Sequence, residues 1–164
     1  SKITFERYIM GSYFEQVLYY ANMRFSKMTG GRYEIVRGES RDKRISAGLE
    51  ISVCDNFNNK ERDISSLSGG ESFQASLALA LGLSDIIQQR NGGIRLDSIF
   101  IDEGFGSLDN DSLASAIETL NDLTGNGNRL VGIISHISEL KNSIGNKIEV
   151  VGSKSGSSIK IITD

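Results

Sequence analysis

An α/β architecture follows from the order of apolar segments in the second half of this chain. Beyond Leu67 the sequence alternates stretches of helical period with short apolar runs. It reads as helix over Gly69 to Arg90, strand over Ser98 to Ile101, helix over Asn110 to Leu123 and strand over Leu130 to Ile134. Two short runs set between long helices are expected to form buried parallel strands of one sheet. At 164 residues, 38% of them hydrophobic and 24% charged, the chain has enough apolar surface for one core, so no second globular unit is required.

The elements before and after this segment follow from period and punctuation. Phe5, Ile9, Tyr13, Val17, Leu18, Ala21, Phe25 and Met28 recur at steps of three or four, which predicts an amphipathic helix that stops at Gly30-Gly31. Arg32 to Arg37 and Ile45 to Phe57 alternate in the β manner around the polar turn Gly38 to Asp42, which predicts an antiparallel pair. A short helix is expected after His136. Lys147 to Val151 and Ser158 to Ile162 form a last pair of strands around the Gly/Ser turn at 152–157. Proline is absent, in keeping with long helices and hairpins but with no functional meaning of its own.

Composition excludes some classes of function. No stretch approaches the run of about 18 apolar residues that a membrane span needs, and the first residues lack the order of a signal peptide. A cytoplasmic protein without a membrane partner is the expectation. Cys54 is the only cysteine, so disulfides and cysteine-based metal sites within the chain are excluded, and a half-buried strand position is expected for it. The net charge of −3 conceals an asymmetry: residues 1–62 carry 11 Lys/Arg against 8 Asp/Glu, and residues 63–164 carry 7 against 13. Arg37, Arg41, Lys43, Arg44, Lys60 and Arg62 offer a cationic face to nucleic-acid phosphates, or simply solvated loops.

Four local features carry chemistry. In Leu67-Ser68-Gly69-Gly70-Glu71, Ser68 and Glu71 stand at capping-box spacing. The same residues also make an anion site, because two glycines allow a phosphate to reach unpaired N–H groups at the positive end of a helix. In Ile99-Phe100-Ile101-Asp102-Glu103 an apolar strand ends in two carboxylates, at the sheet edge where α/β proteins bind ligands. Asp102 could hold Mg²⁺, and Glu103 could orient or deprotonate a water attacking a phosphate; an ordinary acidic turn is the alternative. Gly104-Phe105-Gly106-Ser107-Leu108-Asp109 leads into a helix with Ser107 or Asp109 as N-cap. His136, the only histidine, follows the strand Leu130 to Ile134 and is either structural or a donor to phosphate.

Taken in order, these features resemble the signature motif (Leu67 to Glu71), Walker B (Ile99 to Glu103), D-loop (Ser107, Leu108, Asp109) and switch histidine (His136) of the ABC ATPase superfamily. Four independent coincidences in that order are improbable. The Walker A run Gly-x-x-x-x-Gly-Lys-Ser/Thr does not occur, and the 66 residues before the signature do not read as a nucleotide-binding lobe. A helix and β-hairpin leading into the signature resemble the carboxy-terminal lobe of an SMC-like repair ATPase. Gly30 to Arg37, Gly69 to Asp85 and Ile101 to Asp109, with Gly-Phe-Gly between Walker B and the D-loop, are similar to the SbcC family in particular.

The resemblance implies the α/β carboxy-terminal lobe of a P-loop-containing ATPase head over residues 30–164, with residues 1–29 as the root of a coiled coil. It implies that an amino-terminal lobe of the same protein supplies Walker A and that two heads join around two ATP molecules. Ser68, Gly69 and Gly70, with Glu71, would face the nucleotide held by the other head. Asp102 would serve Mg²⁺, and Glu103 and His136 would serve catalysis, at the head's own nucleotide. Ser107, Leu108 and Asp109 would cross the contact between heads. Family members work with an SbcD-type nuclease on double-stranded DNA ends, and the early helix could dock that nuclease or pack on this domain. The rival reading is a DNA clamp of the SMC, RecF or RecN kind with no nuclease partner; the flanks disfavour a transporter cassette.

Overall fold

The computed structural model describes residues 5–38, 49–90, 96–125, 129–154 and 156–163. Helix α1 (Phe5–Met28) ends as Gly30-Gly31 requires. Both glycines have positive φ, 59° and 80°, and the Gly31 N–H reaches back to the Ser26 carbonyl at 2.7 Å, closing the left-handed cap that glycine adopts without a Cβ penalty. The chain then enters β1 (Tyr33–Arg37), which pairs antiparallel with β2 (Ile51–Asp55). The expected pair is a three-stranded sheet, because β3 (Lys60–Asp63) adds to the other side of β2. The free edge of β1 is covered by Asn22 of α1, whose side chain both accepts from the Ile35 N–H and donates to the Ile35 carbonyl, each at 2.8 Å. That doubly bonded amide stands in for a neighbouring strand. Cys54 lies half-buried in β2, as its alternating context predicts. Of the predicted turn only Gly38 is described, and Arg41, Lys43, Arg44 and Ile45 lie outside the described residues.

Helix α2 (Gly69–Arg90) crosses α1 at close range. A β-carbon on Gly82 would lie 2.7 Å from the Val17 carbonyl oxygen and 2.8 Å from the Ala21 nitrogen, so backbone meets backbone there and only glycine fits. Ala21, Phe25, Ala78 and Leu81 fill the interface. Two polar contacts fix its register. Buried Gln74 donates to the Met28 carbonyl, one of the acceptors that the end of α1 leaves unpaired. Asp85 takes Arg24 of α1 on one oxygen and Arg129 on the other.

The predicted parallel strands are present as β4 (Ser98–Asp102) and β5 (Leu130–Ile134), flanked by α3 (Asn110–Gly125). Full burial is not found. Ile99, Ile101, Val131 and Ile133 pack on the helical core, whereas Phe100, Leu130 and Ile134 on the opposite face are 70%, 64% and 56% exposed. The chain continues through the short α4 (Ser138–Ser143) into the antiparallel ribbon β6 (Lys147–Ser153) and β7 (Gly156–Ile162). The cross-strand pairs Ile148–Ile161 and Val150–Ile159 leave a second apolar face in solvent. No described helix is long and apolar enough to cross a membrane.

Candidate functional site

The Ser68 tip is built by its own side chains. A 3-10 turn, Ile64–Ser66, capped by Asp63, delivers buried Leu67 to the core and leaves Ser68 exposed at the mouth of α2. The Ser68 N–H donates to Glu71 Oε2 at 2.8 Å and the Glu71 N–H to Ser68 Oγ at 3.3 Å, the reciprocal capping box that the spacing predicts. Burial alone would raise the Glu71 carboxyl. Hydrogen bonds from the Ser68 N–H, the Tyr33 hydroxyl and the Ser68 hydroxyl outweigh it and hold the group below its ordinary value. Capping and anion binding are compatible roles for Ser68. The capping bond uses a lone pair of Oγ, and the hydroxyl hydrogen that bonds Glu71 can turn to an anion placed beside the first-turn amides of Gly69 and Gly70.

The acidic pair occupies the carboxyl edge of the parallel strands. Asp102 ends β4 opposite Ile134 and is exposed. Glu103 adds one more bond to the ladder, its N–H donating to the Ile134 carbonyl at 2.9 Å, and there the backbone turns into the left-handed region, φ 60° at Glu103 and 94° at Gly104. His136, just past β5, sets Nδ1 3.1 Å from Glu103 Oε2 and 3.2 Å from Oε1. Its imidazole pairs with Glu103 while the side chain stays 79% exposed. In the doubly protonated ring Nε2–H would still be a donor for an anion. The exposed carboxylate of Asp102 at this edge suits Mg²⁺, a hard cation that keeps much of its water and takes the rest of its ligands from phosphates and hydroxyls. Among the described residues no cluster of three or more His, Cys, Asp or Glu is placed to hold a metal on its own.

The segment Ser107 to Asp109 joins these two groups. A 3-10 turn, Phe105–Ser107, is closed by the Ser107 hydroxyl donating to the Gly104 carbonyl at 3.0 Å. Asp109 is the N-cap of α3, accepting from the Ser112 N–H at 2.8 Å, and that bond is the first cause of its lowered pKa. Gly69 and Gly70 lie directly against Ser107, and Leu108 touches Gly70. Ser68, Gly70, Glu71, Ser107 and Asp109 therefore line one groove, whereas Glu103 and His136 pair elsewhere, reached through residues 104–108. Sequence reasoning did not anticipate Phe73, whose ring packs on Gly104 and Phe105. The only signal for it was the glycine on each side of Phe105.

The SbcC/RAD50-like, Walker B motif family matches residues 39–122 of this chain. The SbcC component of nuclease SbcCD from Vibrio cholerae serotype O1 is 49% identical over 164 residues, 99% of this chain and 16% of that protein. The same component from Staphylococcus epidermidis is 55% identical over 153 residues, 93% of this chain and 15% of that protein. The chain thus spans about one sixth of the length of these relatives. Among solved structures, a chain from work on ATP-driven dimerization and DNA stimulated activation of SMC ATPases superposes with TM-score 0.73 at 15% identity, covering 96% of this chain and 89% of that one. The Smc head domain with an extended coiled coil bound to the C-terminal domain of ScpA, from Pyrococcus furiosus, gives 0.69 at 17% identity, covering 96% and 37%. These likenesses establish the fold, the α/β carboxy-terminal lobe of an SMC-type P-loop ATPase head. With half-identical relatives matched over nearly its whole length, the chain belongs to the SbcC/RAD50-like family.

Proposed function

We propose that this chain is the carboxy-terminal half of an ATP-hydrolysing head that joins a second head on ATP and thereby controls the handling of double-stranded DNA ends by an SbcD-type nuclease. The observation that carries the reading is the separation of the motif residues into two groups. One is the Ser68 tip seated on Ser107 and Leu108; the other is Glu103 paired with His136. Two groups on one chain suit two nucleotides, one held by this head and one presented by its neighbour. The apolar faces left open by β4–β5 and β6–β7 suit coverage by the amino-terminal lobe of the same protein, which would bring Walker A. In this reading residues 30–164 form the lobe and residues 1–29 the root of a coiled coil. Helix α1 supports both roles expected of it: Val17, Leu18, Ala21, Phe25 and Met28 are buried on the lobe, while Met10, Tyr19 and Met23 stay exposed for a partner.

Bound ATP and Mg²⁺ would supply the phosphoanhydride and the charge neutralisation at its γ-phosphate. Asp102 would hold the cation. Glu103 would orient the attacking water and take its proton, and His136 would orient Glu103 and offer a donor to phosphate. Ser68 and the amides of Gly69 and Gly70 would bind the γ-phosphate of the opposite nucleotide, and Ser107 to Asp109 would lie along the contact between heads. A clamp ATPase without a nuclease would share this fold, but the half-identical relatives are both nuclease components by name, whereas the Smc likenesses stand at 15% and 17%. The deciding experiment mixes this chain with the amino-terminal lobe and measures ATP turnover with and without double-stranded DNA. Turnover should require both halves and rise with DNA; robust hydrolysis by this chain alone would overturn the reading.

A further inference from the structure

Glu103 is a non-glycine residue at φ 60°, followed by Gly104 at 94°. A left-handed non-glycine residue is strained and persists only where its surroundings over-determine it. Two restraints come from β5 and its end: the bond from the Glu103 N–H to the Ile134 carbonyl and the pairing of the side chain with His136. The third comes from α2. A β-carbon on Gly104 would lie 2.3 Å from Phe73 Cε2 and 2.5 Å from Cδ2, so the ring of Phe73 rests on the α-carbon of Gly104. The same ring meets Phe105 edge-on, centroids 4.8 Å apart at 60°, and Phe105 is itself 1% exposed.

We propose that Phe73 is a positioning residue for Glu103, holding the left-handed step at residues 103–104 that turns the carboxylate toward His136. This rests on the reading of Glu103 as the base of ATP hydrolysis. The ring fills the space where a β-carbon on Gly104 would stand and so blocks movement of that backbone toward α2. Without it a void opens beside two left-handed residues, and the backbone can return to negative φ and carry Glu103 off His136. Phe73 stands one helical turn after Gly70, whose own α-carbon abuts the Ser107 carbonyl. The first two turns of α2 therefore grip the 104–108 segment at both ends, and the base takes its geometry from the helix that carries the Ser68 tip.

The test uses the full-length protein with its nuclease partner and introduces Phe73→Ala and Phe73→Leu, each alone and with Glu103→Gln. Phe73→Ala should lower kcat about tenfold or more, because a displaced base loses much of what general-base catalysis supplies. ATP affinity and ATP-dependent joining of heads should stay within about twofold. Phe73→Leu should recover part of the rate, and it carries the test if the alanine variant does not fold. In the Glu103→Gln background either change should leave the residual rate within about twofold, since the group being positioned is gone. An equal loss in both backgrounds, a loss of head joining, or an unchanged kcat would each overturn the proposal while leaving Glu103 as base. Unchanged turnover in Glu103→Gln alone would overturn the assignment of the base, and the proposal with it.

Discussion

A β-carbon on Gly70 would stand 2.9 Å from the carbonyl oxygen of Ser107, so the second glycine of the signature and the D-loop segment meet through their backbones. Gly70→Ala forces one of them to move. Within a helix the change gains up to about 1 kcal/mol of propensity, which offsets part of the steric cost. Overall stability should therefore change little, while the tip and Ser107 separate by a few tenths of an ångström or more. Turnover by the full-length protein should fall about tenfold, given the sensitivity of catalysis to small misplacements. Thermal unfolding measured beside ATP hydrolysis checks this, and wild-type turnover would mean that the two segments work independently.

Glu103→Gln keeps the size of the side chain and an oxygen for His136 while removing the base. In the full-length protein ATP binding should persist, hydrolysis should fall by about 10²–10⁴, and joined heads should accumulate on ATP. Size-exclusion chromatography with and without ATP reads the joined state. Unchanged steady-state turnover would remove Glu103 from the role assigned to it.

Acid should loosen the start of α2. The Glu71 carboxyl sits below its ordinary value of 4.5 in the folded chain, because the hydrogen bonds of the cap outweigh the effect of burial. A lowered folded pKa means that the unfolded chain takes up the proton first. The carboxylate's contribution to stability is thus complete above about 4.5 and is lost as pH falls through the folded value. The gap in melting temperature between wild type and Glu71→Gln should be constant from about pH 6 to 7 and close below that threshold. A gap that held its size into strong acid would show that the charge on Glu71 is not what secures the cap.

What was legible in the sequence was whatever local chemistry determines. The span of α2 follows from the Ser68–Glu71 box and an unbroken apolar period, and the end of α1 from Gly30-Gly31. Strand β3 escaped because Lys60 to Asp63 has no apolar alternation. It pairs with β2 through backbone, and Arg62 anchors it by stacking on Tyr33 and bonding Ser66. The open face of β4–β5 escaped because apolar runs look alike whether one side or both are covered. At the candidate site the residue types and their order could be read. The pairing of Glu103 with His136 could not, since it depends on the register that sets Asp102 opposite Ile134. Phe73 looked like one more apolar position on a helix, and only the tertiary contact with Gly104 distinguishes it.

Two of the ion networks that tie α1 to the rest of the lobe should differ sharply in worth. Asp85 accepts Arg24 at 2.8 Å and Arg129 at 3.1 Å, and the three side chains are only 20%, 15% and 14% exposed for Arg24, Asp85 and Arg129. Asp85→Ala leaves two guanidinium groups facing each other with little water, a loss on the order of 3 kcal/mol. Lys27 also bridges two acids, Glu118 and Asp122, but in solvent, with side-chain exposures of 42%, 64% and 58%. Lys27→Ala should cost far less, because water already screens the charges and the long side chain regains its freedom. Urea unfolding of the two variants separates these values, and 1 M salt should narrow the loss at Lys27 far more than the loss at Asp85. Equal losses would mean that Asp85 is better hydrated than its contacts allow. A large loss at Asp85 would establish it as the joint between α1, α2 and the strand that leads to His136.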